Sequence, residues 1–251
     1  MNRAHNSVQA INSIKAAKDE GFTNITIDII YGAPTSDDIL LKKNIEQAIA
    51  LDIPHLSCYA LTVEPKTALA KMIRQKKIED ANPDDQARQF LLIMKWLKTA
   101  GYEHYEISNF AKTGKRSRHN SAYWQGKNYL GLGPSAHSYN GASRQWNIAN
   151  NALYIQSLEK NILSFEKEEL IPVQKLNEYI MTSLRTIEGI DLDYVSDKFG
   201  LRAREILQTT SYQFIKGLKV ENKNSKLILT SEGKLLADGI AATLFFETLE
   251  I

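Results

Sequence analysis

Two hydrophobic periods alternate through the first hundred residues, and that alternation limits the fold more than any other feature. "NSVQAINSIKAAKDEGF" places Val8, Ile11, Ile14 and Ala17 three residues apart, a helical stripe that Gly21 is positioned to end. "NITIDIIYG" follows. It is β-branched and apolar apart from Asp28, the pattern of a strand covered on both faces. "GAPTSDD" turns the chain, with Thr35 or Ser36 expected to cap a helix that runs to about Leu51. "PHLSCYALTV" predicts a second strand. Asn82 and Pro83 open a longer helix that carries Phe90, Ile93, Met94 and Leu97 to Gly101. The order α-β-α-β-α predicts parallel strands, and in such sheets functional groups gather at the carboxyl ends of the strands.

The second half has a different texture. "YEHYEISNF" alternates as one more strand. The stretch "YEISNFAKTGKRSRHNSAYW", Tyr105 to Trp124, reads as neither helix nor core strand, because aromatic, basic and amide groups interleave without an apolar period. The loop-rich character continues through "YLGLGPSAHSYNGASRQWN", whose glycines and Pro134 point to tight turns. From Pro172 the pattern becomes three helices, then the hairpin "LKVENKNSKLILTSEG" with polar turn residues Asn222–Ser225. A final helix carries Leu235, Leu236, Ile240, Leu244 and Phe245. The expected organisation is a larger domain over 1–170 and a smaller one over 171–251.

Charge and cysteine usage remove several function classes. Basic and acidic residues nearly balance, 31 against 29, so nothing in the net charge favours a nucleic-acid or membrane-surface partner. No apolar run reaches the length of a membrane span. "MNRAHNSVQAINS" lacks an apolar signal core, and the expected location is cytoplasmic. A single cysteine, Cys58, leaves neither an internal disulfide nor a multi-cysteine metal site within the chain.

Five motifs occur in order: "GFTNITIDIIYGAP", "YALTVEPKT", "GYEHYEISNFAKTGKRSRHNSAYW", "YLGLGPSAHS" and "SLRTIEGID". Together they resemble the oxygen-independent coproporphyrinogen III oxidase-like branch of the radical S-adenosylmethionine enzymes. "SRHNSAYW" is similar to the His-Asn-x-x-Tyr-Trp motif of the heme chaperones in that branch. The resemblance implies an α/β fold: an incomplete radical-SAM-type (β/α) barrel portion followed by a small, mainly helical, winged-helix-like domain. It also implies a 4Fe–4S cluster and S-adenosylmethionine in the intact family. The family's three-cysteine motif is missing from this sequence, so no cluster is expected on this chain. The sequence therefore reads as a C-terminal portion of such a protein, inactive alone. A portion of the coproporphyrinogen dehydrogenase, or a non-catalytic module completed by a chain that supplies the missing barrel half, are the alternatives.

Site residues follow from the resemblance, each beside a plainer reading. Asp28 and Arg3 match positions that contact the ribose and carboxylate ends of S-adenosylmethionine; alternatively Asp28 caps a backbone group and Arg3 is solvated. His119, Asn120, Tyr123 and Trp124 would meet heme, with His119 as iron ligand, aromatic rings on the porphyrin and Arg116 and Arg118 on its propionates. Alternatively Tyr123 and Trp124 anchor a core, and His119 and Asn120 satisfy loop backbone. His137 matches a position beside the adenine in the oxidases, and Glu106 and Asn109 are weaker candidates of the same kind. His5, His55 and His104 carry no functional assignment. The implied partners are heme or porphyrin and a heme-acceptor protein.

Overall fold

The computed structural model describes residues 5–34 and 36–249. The chain divides into two compact units, Met1–Ser117 and Arg118–Ile251. This division by contact differs from the change of pattern near residue 170, which lies inside the second unit.

In the first unit, α1 (Ser7–Asp19) starts at Asn6 with a reciprocal capping box to Gln9. It leads into β1 (Thr26–Tyr31). Asp37 caps α2 (Asp38–Ala50) by accepting from the Leu40 amide. The expected cap is thereby corrected: Ser36 precedes the capping position, and Thr35 lies outside the described residues. Strand β2 (His55–Ala60) is followed by the short α3 (Ala68–Arg74) and by α4 (Pro83–Thr99), which Asn82 caps with Pro83 in the first turn. Then come β3 (Glu103–Glu106) and β4 (Asn109–Ala111).

The sheet order is β1-β2-β4-β3. Strands β1 and β2 are parallel, as the α/β alternation requires, whereas β2–β4 and β3–β4 are antiparallel. Two expectations are corrected here. "YEHYEISNF" is a hairpin rather than one strand, and its second arm, not its first, lies against β2. Nor is β1 covered on both faces, since Thr26 and Asp28 are exposed. The core lies on one side of the sheet, where Ile45, Ile53, Leu56, Ile93, Leu97 and Phe110 are wholly buried between it and helices α2 and α4.

The second unit opens with α5 (Arg118–Trp124). Strands β5 (His137–Tyr139) and β6 (Ser143–Asn147), helix α6 (Asn151–Glu159) and strand β7 (Phe165–Glu169) follow, forming an antiparallel sheet β5-β6-β7. The reading of 105–124 as neither helix nor core strand, and of the stretch that follows as loop-rich through Asn147, is thus corrected by α5, β5 and β6. Pro172 starts α7 (Pro172–Leu184), which buries Leu176, Ile180 and Leu184 along one face. Strand β8 (Ile190–Asp191), α8 (Leu192–Phe199), α9 (Leu201–Lys216), β9 (Val220–Lys223) and β10 (Lys226–Leu229) form a helical layer with a sheet of order β8-β10-β9. The last helix is broken into α10 (Ser231–Lys234) and α11 (Ala237–Thr243).

Candidate functional site

Opposite its apolar core, the first unit's sheet carries a polar face. Register sets Asp28 beside Ser57, Ser57 beside Asn109 and Asn109 beside Glu106, one residue from each strand in a single row. Paired residues project to the same side, so the row is a consequence of the pairing. Asp28 is exposed. Glu106 is 1% exposed, and its carboxylate accepts from the Ser108 amide at 3.1 Å and from the Asn109 side-chain nitrogen. Asn109 is 3% exposed, and its Oδ1 has no partner. Because the amide nitrogen is committed to Glu106 on β3, that oxygen is turned away from β3.

The next row contains a residue that sequence reasoning passed over. His55 is 4% exposed, with Nδ1 2.6 Å from the Thr26 hydroxyl and Nε2 2.8 Å from the Tyr105 hydroxyl. The Tyr105 oxygen also accepts from the Ser117 amide at 3.3 Å. Burial lowers the His55 pKa, opposed by the negative charge of Asp28, and pushes the Tyr105 hydroxyl up to about 12. Arg116 lies over the Tyr105 ring at 5.4 Å and pairs with Glu103 at 2.8 Å, so its guanidinium is engaged within the first unit.

In the second unit, α5 carries the His-Asn-x-x-Tyr-Trp sequence. His119 and Tyr123 are four residues apart and therefore share a helix face. Their rings meet edge to face at 4.9 Å and 87°. The His119 ring is exposed, and Tyr123 is 40% exposed. Tyr129 meets the Tyr123 ring edge to face at 4.8 Å, and Tyr139 lies 6.1 Å beyond it. Trp124 is turned inward instead: the guanidinium of Arg185, the residue that caps the C-terminus of α7, lies 5.5 Å from its ring, and its indole nitrogen is buried without a partner. Asn120 is half-buried on α5, and Arg118 is exposed at its first position.

His137 is exposed at the start of β5, paired in register with Trp146, the two rings 6.1 Å apart. Arg3 lies outside the described residues. The structure therefore gathers His119 and Tyr123 on one face, sets Trp124 against α7, and places Asp28 in the other unit. Tyr129 and Tyr139 were missed because their partners are ten residues apart across a glycine-rich turn, which local periodicity does not register.

Among families of known domains, the HemN C-terminal domain matches residues 172–236, beginning at the first residue of α7. The heme chaperone HemW of Mycobacterium tuberculosis is 32% identical over 245 residues, covering 97% of this chain and 61% of that protein. The Bacillus subtilis HemW is 29% identical, covering 95% and 63%. A solved structure, coproporphyrinogen III oxidase (HemN) from Escherichia coli, described as a radical SAM enzyme, shares the fold. Its TM-score is 0.76 at 21% identity, over 98% of this chain and 60% of that one. The chain is a HemW/HemN-like member of the radical S-adenosylmethionine family. It spans about three-fifths of the length of the HemW proteins above.

The family's iron–sulfur cluster does not fit the residues of this chain. Cys58, the one cysteine, is 1% exposed in the core, and its thiol is pushed up to about 12, chiefly by burial. Among the described residues no group of three His, Cys, Asp or Glu side chains is placed to hold a metal ion. No described helix is long and apolar enough to cross a membrane.

Proposed function

We propose that this chain binds heme as a HemW-type protein does, with His119 as the iron ligand and the Tyr123 ring beside the porphyrin. The observation that carries this is an exposed imidazole on α5, held edge-on by the ring one turn later. Neutral imidazole is a common axial ligand of heme iron, and an aromatic ring contributes apolar contact area to a flat ligand. Trp124 serves in this reading as the anchor that Arg185 packs against α7, and Arg118 is the guanidinium placed for a propionate. Delivery of the heme to an acceptor protein belongs to the same proposal. So does a winged-helix arrangement for the elements from α7 to β10.

Heme titration tests it. The expected result is a defined Soret shift that saturates near one heme per chain, altered or weakened in His119→Ala and unchanged in His5→Ala. His55→Ala is unsuitable as a control, because that imidazole is buried and bonded on both sides. An unaltered spectrum and affinity in His119→Ala would overturn the assignment.

S-adenosylmethionine fits only in part. Asp28 offers an exposed carboxylate that accepts two hydroxyls, beside Ser57 and the unpartnered Asn109 oxygen. With the cysteine-bearing portion lacking, anaerobic reconstitution of the isolated chain is expected to give no stoichiometric cluster and no cleavage of S-adenosylmethionine to 5′-deoxyadenosine. Iron and sulfide analysis with product chromatography checks both, and one cluster per chain would contradict the reading.

A further inference from the structure

We infer that Tyr129 is a positioning residue for the His119 imidazole, acting through the ring of Tyr123; the heme arm of its test rests on the function proposed above. Three aromatic rings form one line of contacts. His119 meets Tyr123 at 4.9 Å, and Tyr123 meets Tyr129 at 4.8 Å and 71°. Tyr123 is thus held on both sides, although it projects from a seven-residue helix and is 40% exposed. A lone half-exposed tyrosine there would sample several rotamers.

Tyr129 can act as the fixed end because its backbone is fixed. Its amide donates to the Tyr139 carbonyl at 2.9 Å, and the Tyr139 amide donates back at 2.9 Å, joining it to β5. The next residues are tied down as well. The Gly131 amide donates to the Ser138 hydroxyl at 3.0 Å, and Asn147 donates to the carbonyls of Gly131 and Gly133. A Cβ on Gly131 would lie 2.1 Å from the His137 carbonyl oxygen, so only glycine permits this approach. The strand β5 thereby backs Tyr129, and the Tyr129 ring carries that support to Tyr123 on α5.

The test compares Tyr129→Leu, which keeps bulk but loses the ring, with Tyr129→Phe, which keeps the ring. Far-UV circular dichroism confirms folding. Without heme, the His119 Cε1–H resonance is expected to move in Tyr129→Leu and to stay in place in Tyr129→Phe. With heme, Tyr129→Leu is expected to bind about two- to tenfold more weakly, the range of an edge-to-face ring contact, with a broadened Soret band. Tyr129→Phe should restore both. An unmoved His119 resonance in folded Tyr129→Leu overturns the inference, as does a Tyr129→Phe spectrum matching Tyr129→Leu. If His119→Ala leaves heme binding unchanged, the heme proposal fails by itself, and the resonance experiment still decides the role of Tyr129.

Discussion

His55 joins three strands through one imidazole ring, bonding Thr26 of β1 and Tyr105 of β3 from its own place in β2. Both nitrogens are occupied by hydroxyls, so a second ring proton would have to displace an existing bond or force a hydroxyl to turn. Burial lowers the pKa from the ordinary 6.5, with Asp28 pulling the other way. Between that lowered value and 6.5 the unfolded chain binds more protons than the folded one. Stability attributable to His55 therefore rises with pH through this window and is level above it. The carboxylates of Asp38, Glu103 and Asp191 are held below their ordinary range by hydrogen-bond partners, and they act at lower pH in the same direction. Urea midpoints at pH 5.5 and 7.5 should thus differ for the parent, with the lower value at pH 5.5. In His55→Gln, which does not titrate, the difference should shrink. Equal differences in parent and variant would show that His55 does not carry the effect. Nothing in "PHLSCYAL" forecasts this role, since a histidine's partners lie on other strands.

Elements were legible where their signal is local. The parallel β1–β2 pair, α4 with its Asn82–Pro83 start and α7 at Pro172 all follow from periodicity and capping. The β3–β4 turn was hidden because it contains no glycine or proline. A Glu106 carboxylate closes it instead, accepting from the Ser108 amide and the Asn109 side chain. Strands β5 to β7 were hidden for another reason: their buried positions are Ser143 and Asn147, so no apolar alternation exists to read. The β9–β10 hairpin was expected, but its two-residue turn is Asn224–Ser225, with Asn222 inside β9. Both turn residues have positive φ, 51° and 60°. That is the type I′ geometry, which suits Asn-Gly, and serine there is strained by its Cβ. Ser225→Gly is therefore expected to stabilise the chain by about 1 kcal/mol, or roughly 2–4 °C in Tm. A thermal melt in which Ser225→Gly unfolds earlier than the parent would contradict the strain argument.

For the whole molecule, the edge of the first unit's sheet matters most. Among the described residues β1 pairs with β2 alone, which leaves its other edge without a strand. An edge of six residues presents unpaired N–H and C=O groups that template pairing with another chain. Protective devices are sparse here: β1 has no proline and no lysine, and Asp28 is its one charged residue. The isolated chain is expected to associate through β1 as concentration rises. Light scattering after gel filtration should show mass increasing with concentration. Hydrogen exchange should show the outward amides of residues 26–31 becoming protected over the same range, while the amides of residues 55–58 in β2, flanked by both β1 and β4, stay protected throughout. A monomer at all concentrations with β1 exchanging rapidly would mean that the edge is exposed without being adhesive. Association with β1 still exchanging rapidly would move the contact to another surface.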